Sequence, residues 1–499
     1  MTDLGTGLGF EKGLQTCVVA CAFGRALGLD DDACRTIHHT ALLRAVGCTA
    51  SAPENAAMFG DDVAFQAAFK TLDPGDPDVF AGQLEAFGSW AGRERQPALA
   101  ARFVEVAPTA GPLAVQMNCE VSAALGTRLG LAPAAIAALD EIHERWDGLG
   151  LPAGIEGDAL SLPVRVVHVA EQAVLACAAG GVAAAQAEVR RRAGGHLDPE
   201  LCRRFVEHAE EVLEPLSAAD MLTAVAEAEP RPTATLPADH LNRVCIAFAA
   251  FADLKGTHLV GHSTRVAHLA GAAAGLLGMD EPSRESLRTA ALVHDLGRAA
   301  VSSAIWDRPA ALGPADRERV RLHPYWTGRV LAHCPALAPL EVVAAAHHER
   351  IDGSGYPRGA RGGELSLSAR VLAAADAFSA MTEDRPHRPA RDREEAARIL
   401  LEDATSGRQD PEAAAAVIEA AGLPRPRAAW PCDLTDREVE VLRLAARGAK
   451  NQEIASALVV SPRTVQHHLA SIYDKTGRRT RAGAAVFAIE HNLIAAGAQ

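Results

Sequence analysis

The chain has 499 residues, with 63 Asp and Glu against 49 Lys and Arg, a formal net charge of −14, which excludes a protein that coats nucleic acid with its whole surface. Hydrophobic residues make up 48% and charged residues 22%, which excludes a disordered or fibrous chain, and the length is that of about three domains. Aromatics are only 4%, while Ala, Leu and Val abound, so Ala-rich helical packing is favoured over a β-sandwich and the expected fold class is all-α.

The N-terminal MTDLGTGLGFEKG lacks the basic-then-apolar order of a signal peptide. No run of about 18 uninterrupted apolar residues occurs, so no membrane partner is expected. The 10 Cys are scattered without a CxxC pair, which fits a reduced, cytoplasmic compartment. Two Pro-rich stretches, EPRPTATLP (229–237) and GLPRPRAAWP (422–431), read as linkers because Pro removes donors and fixes φ. They bound three expected domains, 1–230, 238–425 and 432–499. Apolar residues at three- and four-residue spacing, such as Val266, Leu269, Ala273 and Leu276, predict helices throughout.

The first two domains repeat each other. ALGLD (26–30) and ALLRAVG (41–47) lie on LLGMD (276–280) and ALVHDLG (291–297) at an offset of 250 residues. HERWDGLGLPAG (143–154) and LSLPVRV (160–166) lie on HERIDGSGYPRG (348–359) and LSLSARV (365–371) at an offset of 205. The smaller second offset implies extra residues in the first copy, and the Pro-containing stretch from Ser51 to Pro112 is the expected place for them.

The second copy concentrates His and Asp at the ends of apolar helical runs: His262, His294, Asp295, His323, His347 and His348, with Asp376 inside RVLAAADAF. Polar groups at such positions must be paired or bind something. A set of His and Asp without Cys suits a borderline metal such as iron, manganese, zinc or cobalt, and seven groups are too many for one tetrahedral ion, so two metals are expected.

These blocks resemble the HD-GYP family of metal-dependent phosphohydrolases. The matching stretches are GHSTRVAHLA (261–270), HDLGR (294–298), HHERIDGSGYPRG (347–359) and ARVLAAADAFSAMTEDRPHR (369–388). The resemblance implies a helical bundle holding two, sometimes three, iron- or manganese-type ions, and hydrolysis of cyclic di-GMP. It implies that His262, His294, Asp295, His323, His347, His348 and Asp376 are the ligands, with Asp295 bridging. A third ion would involve the position of His258. The substrate-binding segment is Gly355, Tyr356 and Pro357, in a tight turn. Arg298 stands where the family usually has Lys; Arg keeps the charge and can grip phosphate in a bidentate way, so a catalytic role at the phosphate is expected of it.

The first copy has lost this chemistry. Lys12 replaces His262, Arg44 and Ala45 replace the His-Asp pair, Ile142 replaces His347 and Asn118 stands for His323; only His143 and Glu171 keep ligand-type residues. A metal is not expected there. The copy is read as a packing or dimerisation partner, with a sensor pocket for a small ligand as the alternative.

Residues 434–495 begin with LTDREVEVLRLAARG, whose Val439, Leu442, Leu444 and Ala445 form one apolar face, and Gly448 is a natural helix stop. NQEIASAL (451–458) is a second short helix. Ser461 and Pro462 open a third, with Val465, Leu469 and Ile472 inward and Arg463, Gln466, His467, Ala470 and Ser471 outward. Two short helices and an exposed polar one fit a major-groove reader. The segment resembles the LuxR/FixJ-type DNA-binding domain through Glu438, Gly448, Asn451, Ile454, Ser461, Thr464, Val465, Ile472, Lys475, Gly477 and Arg481. The resemblance implies base contacts from Gln466 and His467, phosphate contacts from Arg463, Thr464, Lys475 and Arg481, and binding as a homodimer.

The expected function is a metal-dependent cyclic di-GMP phosphodiesterase joined to sequence-specific transcription regulation. Two alternatives stay open: a transcription factor whose second domain senses a nucleotide with little turnover, and a phosphohydrolase of another nucleotide.

Overall fold

The computed structural model describes residues 1–9, 11–233, 240–426, 430–491 and 493–494. The fold is all-α. Among the described residues there is no named strand, and four isolated bridges are the only β-type pairings. The expected linkers at 229–237 and 422–431 lie partly outside the described residues. The ten cysteines are all free, nine of them buried or partly buried.

The chain divides into two compact units: Met1–Val260 with Leu296–His323, and Gly261–Asp295 with Pro324–Gln499. This partition does not follow the Pro-rich stretch at 229–237. The helix Leu241–Asp253 and the segment 296–323 fold with the first copy, for an energetic reason. Ala247, Phe251 and Ala299 share a core cluster with Val46 and Leu125. Lys255 has a fully buried side chain and pairs with Asp62, which also accepts from Ser302 Oγ at 3.0 Å and Ser303 N at 2.7 Å. A buried ammonium needs such a partner, so these segments cannot part without stranding a charge.

In the first unit, the helix Lys12–Ala26 is the hub. Its Cys17, Val18, Val19, Ala20 and Phe23 are buried against the helices Asp31–Leu43, Leu162–Arg192 and Pro199–Leu213. Asp30 and Asp198 cap two of these partners by accepting first-turn N–H groups. The helix Leu162–Arg192 is long and apolar enough to cross a membrane, a feature the search for an uninterrupted apolar run did not find. Its Val166 to Val174 stretch, however, lies in this core, and Gly180 and Gly181 break its backbone geometry. That pattern fits the core helix of a globular unit.

The extra stretch of the first copy is helical. It forms Ala52–Phe59, Asp62–Phe69, Pro77–Ala86 and the first part of Gln96–Leu129, which carries Pro108 and Pro112 inside it. Phe59, Phe65, Phe87 and Phe103 form its own small core, with the Phe59 and Phe65 rings stacked 4.5 Å apart.

In the second unit, the helix His262–Leu276 packs on Glu281–Val293, Leu367–Met381 and Pro411–Ala420. Its contact face is Val266, Ala267, Ala270, Ala273 and Ala274, small residues that allow close approach; Leu276, expected on that face, is 42% exposed. The C-terminal helices Asp436–Ala446, Asn451–Ala457, Pro462–Thr476 and Arg481–Glu490 enclose Val439, Leu442, Ile454, Val465, Leu469, Ile472 and Phe487.

One loop has the same construction in both copies. Glu144 accepts from Ala153 N at 2.7 Å and Ile155 N at 3.0 Å; Glu349 accepts from Arg358 N at 2.7 Å and Ala360 N at 2.9 Å. At Gly150 and at Gly355, a Cβ would meet backbone atoms of the preceding turn at 2.4 Å, so only glycine fits either position.

Candidate functional site

The second copy brings its His and Asp residues together from four chain segments. His262 opens its helix behind Gly261, and His294 and Asp295 follow the last turn of Glu281–Val293. His347 and His348 follow the short helix Glu341–Ala344, and Asp376 lies in the middle of Leu367–Met381. His262, His294, Asp295 and His347 are fully buried; Asp376 is nearly so, and the His348 side chain is 22% exposed at the mouth.

Two carboxylates sit among four rings. Asp295 Oδ2 lies 2.8 Å from His294 Nε2 and 3.6 Å from His262 Nε2, while its Oδ1 lies 3.5 Å from His347 Nε2. Asp376 Oδ1 lies 3.1 Å from His262 Nε2, and its Oδ2 lies 3.6 Å from His348 Nδ1. Two overlapping triads result, His262–His294–Asp376 and His294–Asp295–His347, each with ligand-type atoms within 4.8 Å of one another.

The ring orientations are fixed from behind. His294 Nδ1 donates to the Ala291 carbonyl at 2.6 Å and His347 Nδ1 to the Ala344 carbonyl at 2.7 Å. Each Nε2 therefore faces inward and carries the lone pair in the neutral ring, the arrangement of a metal-binding imidazole. His262 Nδ1 is held by Glu383 at 2.8 Å, and Glu383 also accepts from Arg265 at 2.8 Å. Sequence reasoning missed Glu383. It lies in the block 369–388, but nothing in the sequence distinguishes it from the surface charges around it.

The electrostatics show a demand for positive charge. Burial opposes ionisation of His294, yet Asp295 and Asp376 push its pKa up to about 10. Burial likewise works against the Asp376 carboxylate, but hydrogen bonds from His262 and His294 hold it well below the usual range. Divalent cations would meet that demand, and the donor set fits them. The Tyr356 ring lies 4.8 Å from the His348 ring, and Tyr356 N donates to the His348 carbonyl, so the loop of Gly355, Tyr356 and Pro357 lines the mouth.

His323 and Arg298 belong to the first unit. His323 is buried, with Nδ1 2.6 Å from the Val320 carbonyl and its ring 5.5 Å from that of Trp306. Arg298, also buried, places its guanidinium 5.3 Å from the same indole.

At the matched positions of the first copy, ion pairs stand instead. Glu171 Oε1 lies 2.7 Å from Lys12 Nζ, 3.1 Å from Arg44 Nε and 3.8 Å from Lys70 Nζ. Burial would raise the Glu171 pKa, but these three cations hold it well below the carboxylate range. Asn118 accepts from Ser51 at 3.0 Å.

In the C-terminal helices, Arg463, Gln466 and His467 are exposed on one face of Pro462–Thr476, and Ser461 caps that helix through Thr464 N. Thr464 Oγ1 lies 2.7 Å from Ser461 Oγ. Three other residues serve the domain itself. Ser471, expected to point out, donates to Glu438 at 2.5 Å. Lys475 pairs with Glu438 at 2.7 Å and donates to the Asp433 carbonyl. Arg481 donates to the Ala449 carbonyl at 2.6 Å.

Residues 247–413 match the HD domain family, and residues 433–488 match the bacterial regulatory proteins of the luxR family. A 3′3′-cGAMP-specific phosphodiesterase of Vibrio cholerae is 30% identical over 84% of this chain and 92% of its own. The chain belongs to the HD-GYP phosphohydrolases. A cyclic di-GMP phosphodiesterase of Pseudomonas aeruginosa is 37% identical over 32% of this chain and 39% of its own. The crystal structure of a cyclic GMP-AMP-specific phosphodiesterase of Vibrio cholerae covers 85% of this chain and 95% of its own with a TM-score of 0.56; at 24% identity it shows a shared fold. This HD-GYP chain is thus a metal-dependent phosphohydrolase with a luxR-family domain at its C-terminal end.

Proposed function

We propose that the second copy hydrolyses a phosphodiester bond of a 3′3′-linked cyclic dinucleotide, and that the luxR-family domain couples this to promoter binding. The observation that carries the reading is the buried set of His262, His294, Asp295, His347 and Asp376 with His348 at its mouth, and with Nε2 of His294 and His347 turned inward by backbone carbonyls. These residues would hold two divalent cations of the iron or manganese class, with Asp295 facing both triads. For His323 and Arg298 the roles rest on the sequence resemblance.

When bound, a cation pair supplies Lewis-acid activation of water and neutralises charge at phosphorus. The chain's own part is orientation. Glu383 and the Ala291 and Ala344 carbonyls hold three rings in place, so little reorganisation is needed at the reaction. Tyr356 and His348 stand at the mouth, where a base or ribose of the substrate would lie. In the luxR-family domain, Arg463, Gln466 and His467 present donors from an exposed helix face to a major groove.

The similarity to a 3′3′-cGAMP-specific enzyme runs across both copies, whereas the similarity to a cyclic di-GMP enzyme covers about a third of the chain. That favours 3′3′-cGAMP as the better substrate. The test is metal analysis of anaerobically purified protein, with hydrolysis of 3′3′-cGAMP and cyclic di-GMP by the wild type and Asp295→Asn. About two metals per chain and Asp295-dependent product from at least one dinucleotide are expected. Metal with nucleotide binding but no product would leave a nucleotide-responsive transcription factor. No metal would overturn the catalytic reading.

A further inference from the structure

The first copy did not close over the place where its twin gathers ligands. A cavity of about 280 Å³ remains there, near the lower end of small-molecule pockets, which run from about 300 to 1,000 Å³. Arg44, Lys70, His143 and Glu171 line it, together with the rings of Phe69, Phe80 and Phe103. Lys70 and all three rings come from the extra helices that the second copy lacks. Part of the wall of this cavity therefore comes from outside the duplicated scaffold.

The charges that line it are unevenly matched. Glu171 Oε1 already accepts from Lys12 and Arg44. Among the described residues, the nearest carboxylate oxygen to the Lys70 ammonium is that same atom at 3.8 Å, beyond hydrogen-bonding reach. His143 borders the same space. A cation held only at 3.8 Å by a carboxylate oxygen that two other cations share, in a cavity that an imidazole and three phenyl rings also line, suits an anionic head on a flat apolar body. A packed interior would have filled such a void.

We propose that the first copy is a binding site for a small organic anion: a carboxylate or phosphate head taken by Lys70 and His143, and an aromatic body laid on Phe69, Phe80 and Phe103. The site is independent of the metal cluster and of whether the second copy turns over a nucleotide.

The experiment uses full-length protein and anilinonaphthalene sulfonate, a fluorescent aromatic anion, as the probe. The wild type is expected to bind it saturably, and Asp295→Ala to bind it equally well. Lys70→Met is expected to weaken binding about tenfold or more, the loss of one charge-assisted contact. Phe80→Ala is the second variant, because the helix Pro77–Ala86 has no buried residue and its fold is not at risk; it too weakens binding. Displacement by guanosine monophosphate points to a phosphate head, and displacement by indole-3-acetate to a carboxylate. Unchanged affinity in both Lys70→Met and Phe80→Ala, loss of binding in Asp295→Ala, or failure of both competitors would overturn the proposal.

Discussion

Lys12 Nζ stands 2.7 Å from Glu171 Oε1, and the two positions that match them in the second copy hold His262 and Asp376, whose Nε2 and Oδ1 are 3.1 Å apart. One scaffold thus meets the charge of a buried carboxylate in two ways. In one copy a lysine and an arginine neutralise it permanently. In the other, imidazoles surround it and leave room for an exchangeable cation.

Glu171→Gln tests the first arrangement. It removes the anion and leaves Lys12 and Arg44 buried without their partner, which costs about 3–5 kcal/mol. Urea unfolding should show this loss, while the metal content per chain stays that of the wild type. Asp376→Asn should do the reverse, emptying the metal centre with a smaller change in stability.

Acid should destabilise the first copy in two stages. Burial chiefly, with Lys70 nearby, holds the His143 pKa down to about 4, against about 6.5 in an unfolded chain. The unfolded state therefore binds more protons in that window, and stability is lost as pH falls from about 6.5 towards 4. Glu171, depressed in the folded state, adds stability that is present above about pH 4.3 and disappears below it. His143→Phe should remove its own share of the first stage in unfolding curves taken between those pH values, while His38, His39, His168 and His196, which burial also holds down, keep theirs.

Glu383 positions His262 rather than touching substrate. Glu383→Ala should weaken metal affinity about 10–100-fold, as loss of a carboxylate behind a ligating imidazole does. Added manganese should restore kcat, and Glu383→Asp should recover part of the affinity. An activity loss that excess metal leaves untouched would count against this role.

The C-terminal helices separate two kinds of basic and polar residue. Gln466→Ala should cost about 1–3 kcal/mol of affinity for the specific site and little for unrelated DNA. Lys475→Ala should instead lower the stability of the domain by about 1 kcal/mol, because its ammonium serves Glu438. Binding isotherms at two salt concentrations, beside thermal melts, distinguish the two outcomes.

A fragment starting at residue 238 should fold poorly. It would keep Lys255 but lose Asp62, and keep Phe251 and Ala247 but lose Val46 and Leu125. Exposed apolar surface and an aggregating fragment are expected on size-exclusion chromatography, in contrast to the full chain.

Much of this was legible in the sequence. Helical spacing and Ala-rich composition carry the all-α fold, and repeated strings carry the duplication. The inward His and Asp residues stand out because they sit at the ends of apolar helical runs or inside one. What stayed hidden depends on pairs far apart in the chain. Asp62 and Lys255 decide which segments fold together, and neither is unusual where it stands. Nothing in the sequence pairs Lys475 with Glu438. Glu383 resembles a surface charge until His262 is seen in front of it. The cavity was hidden for another reason: its rings lie in a stretch with no counterpart, so comparison of the copies passes over it.

The glutamate-clamped loop outlived the chemistry beside it. Glu144 and Glu349 make the same pair of backbone contacts, although among the described residues only the second copy gathers a His and Asp cluster. The loop therefore forms without the cluster. A genome survey that counts enzymes by this loop would score the chain twice; one that asks for a carboxylate facing two imidazoles would score it once.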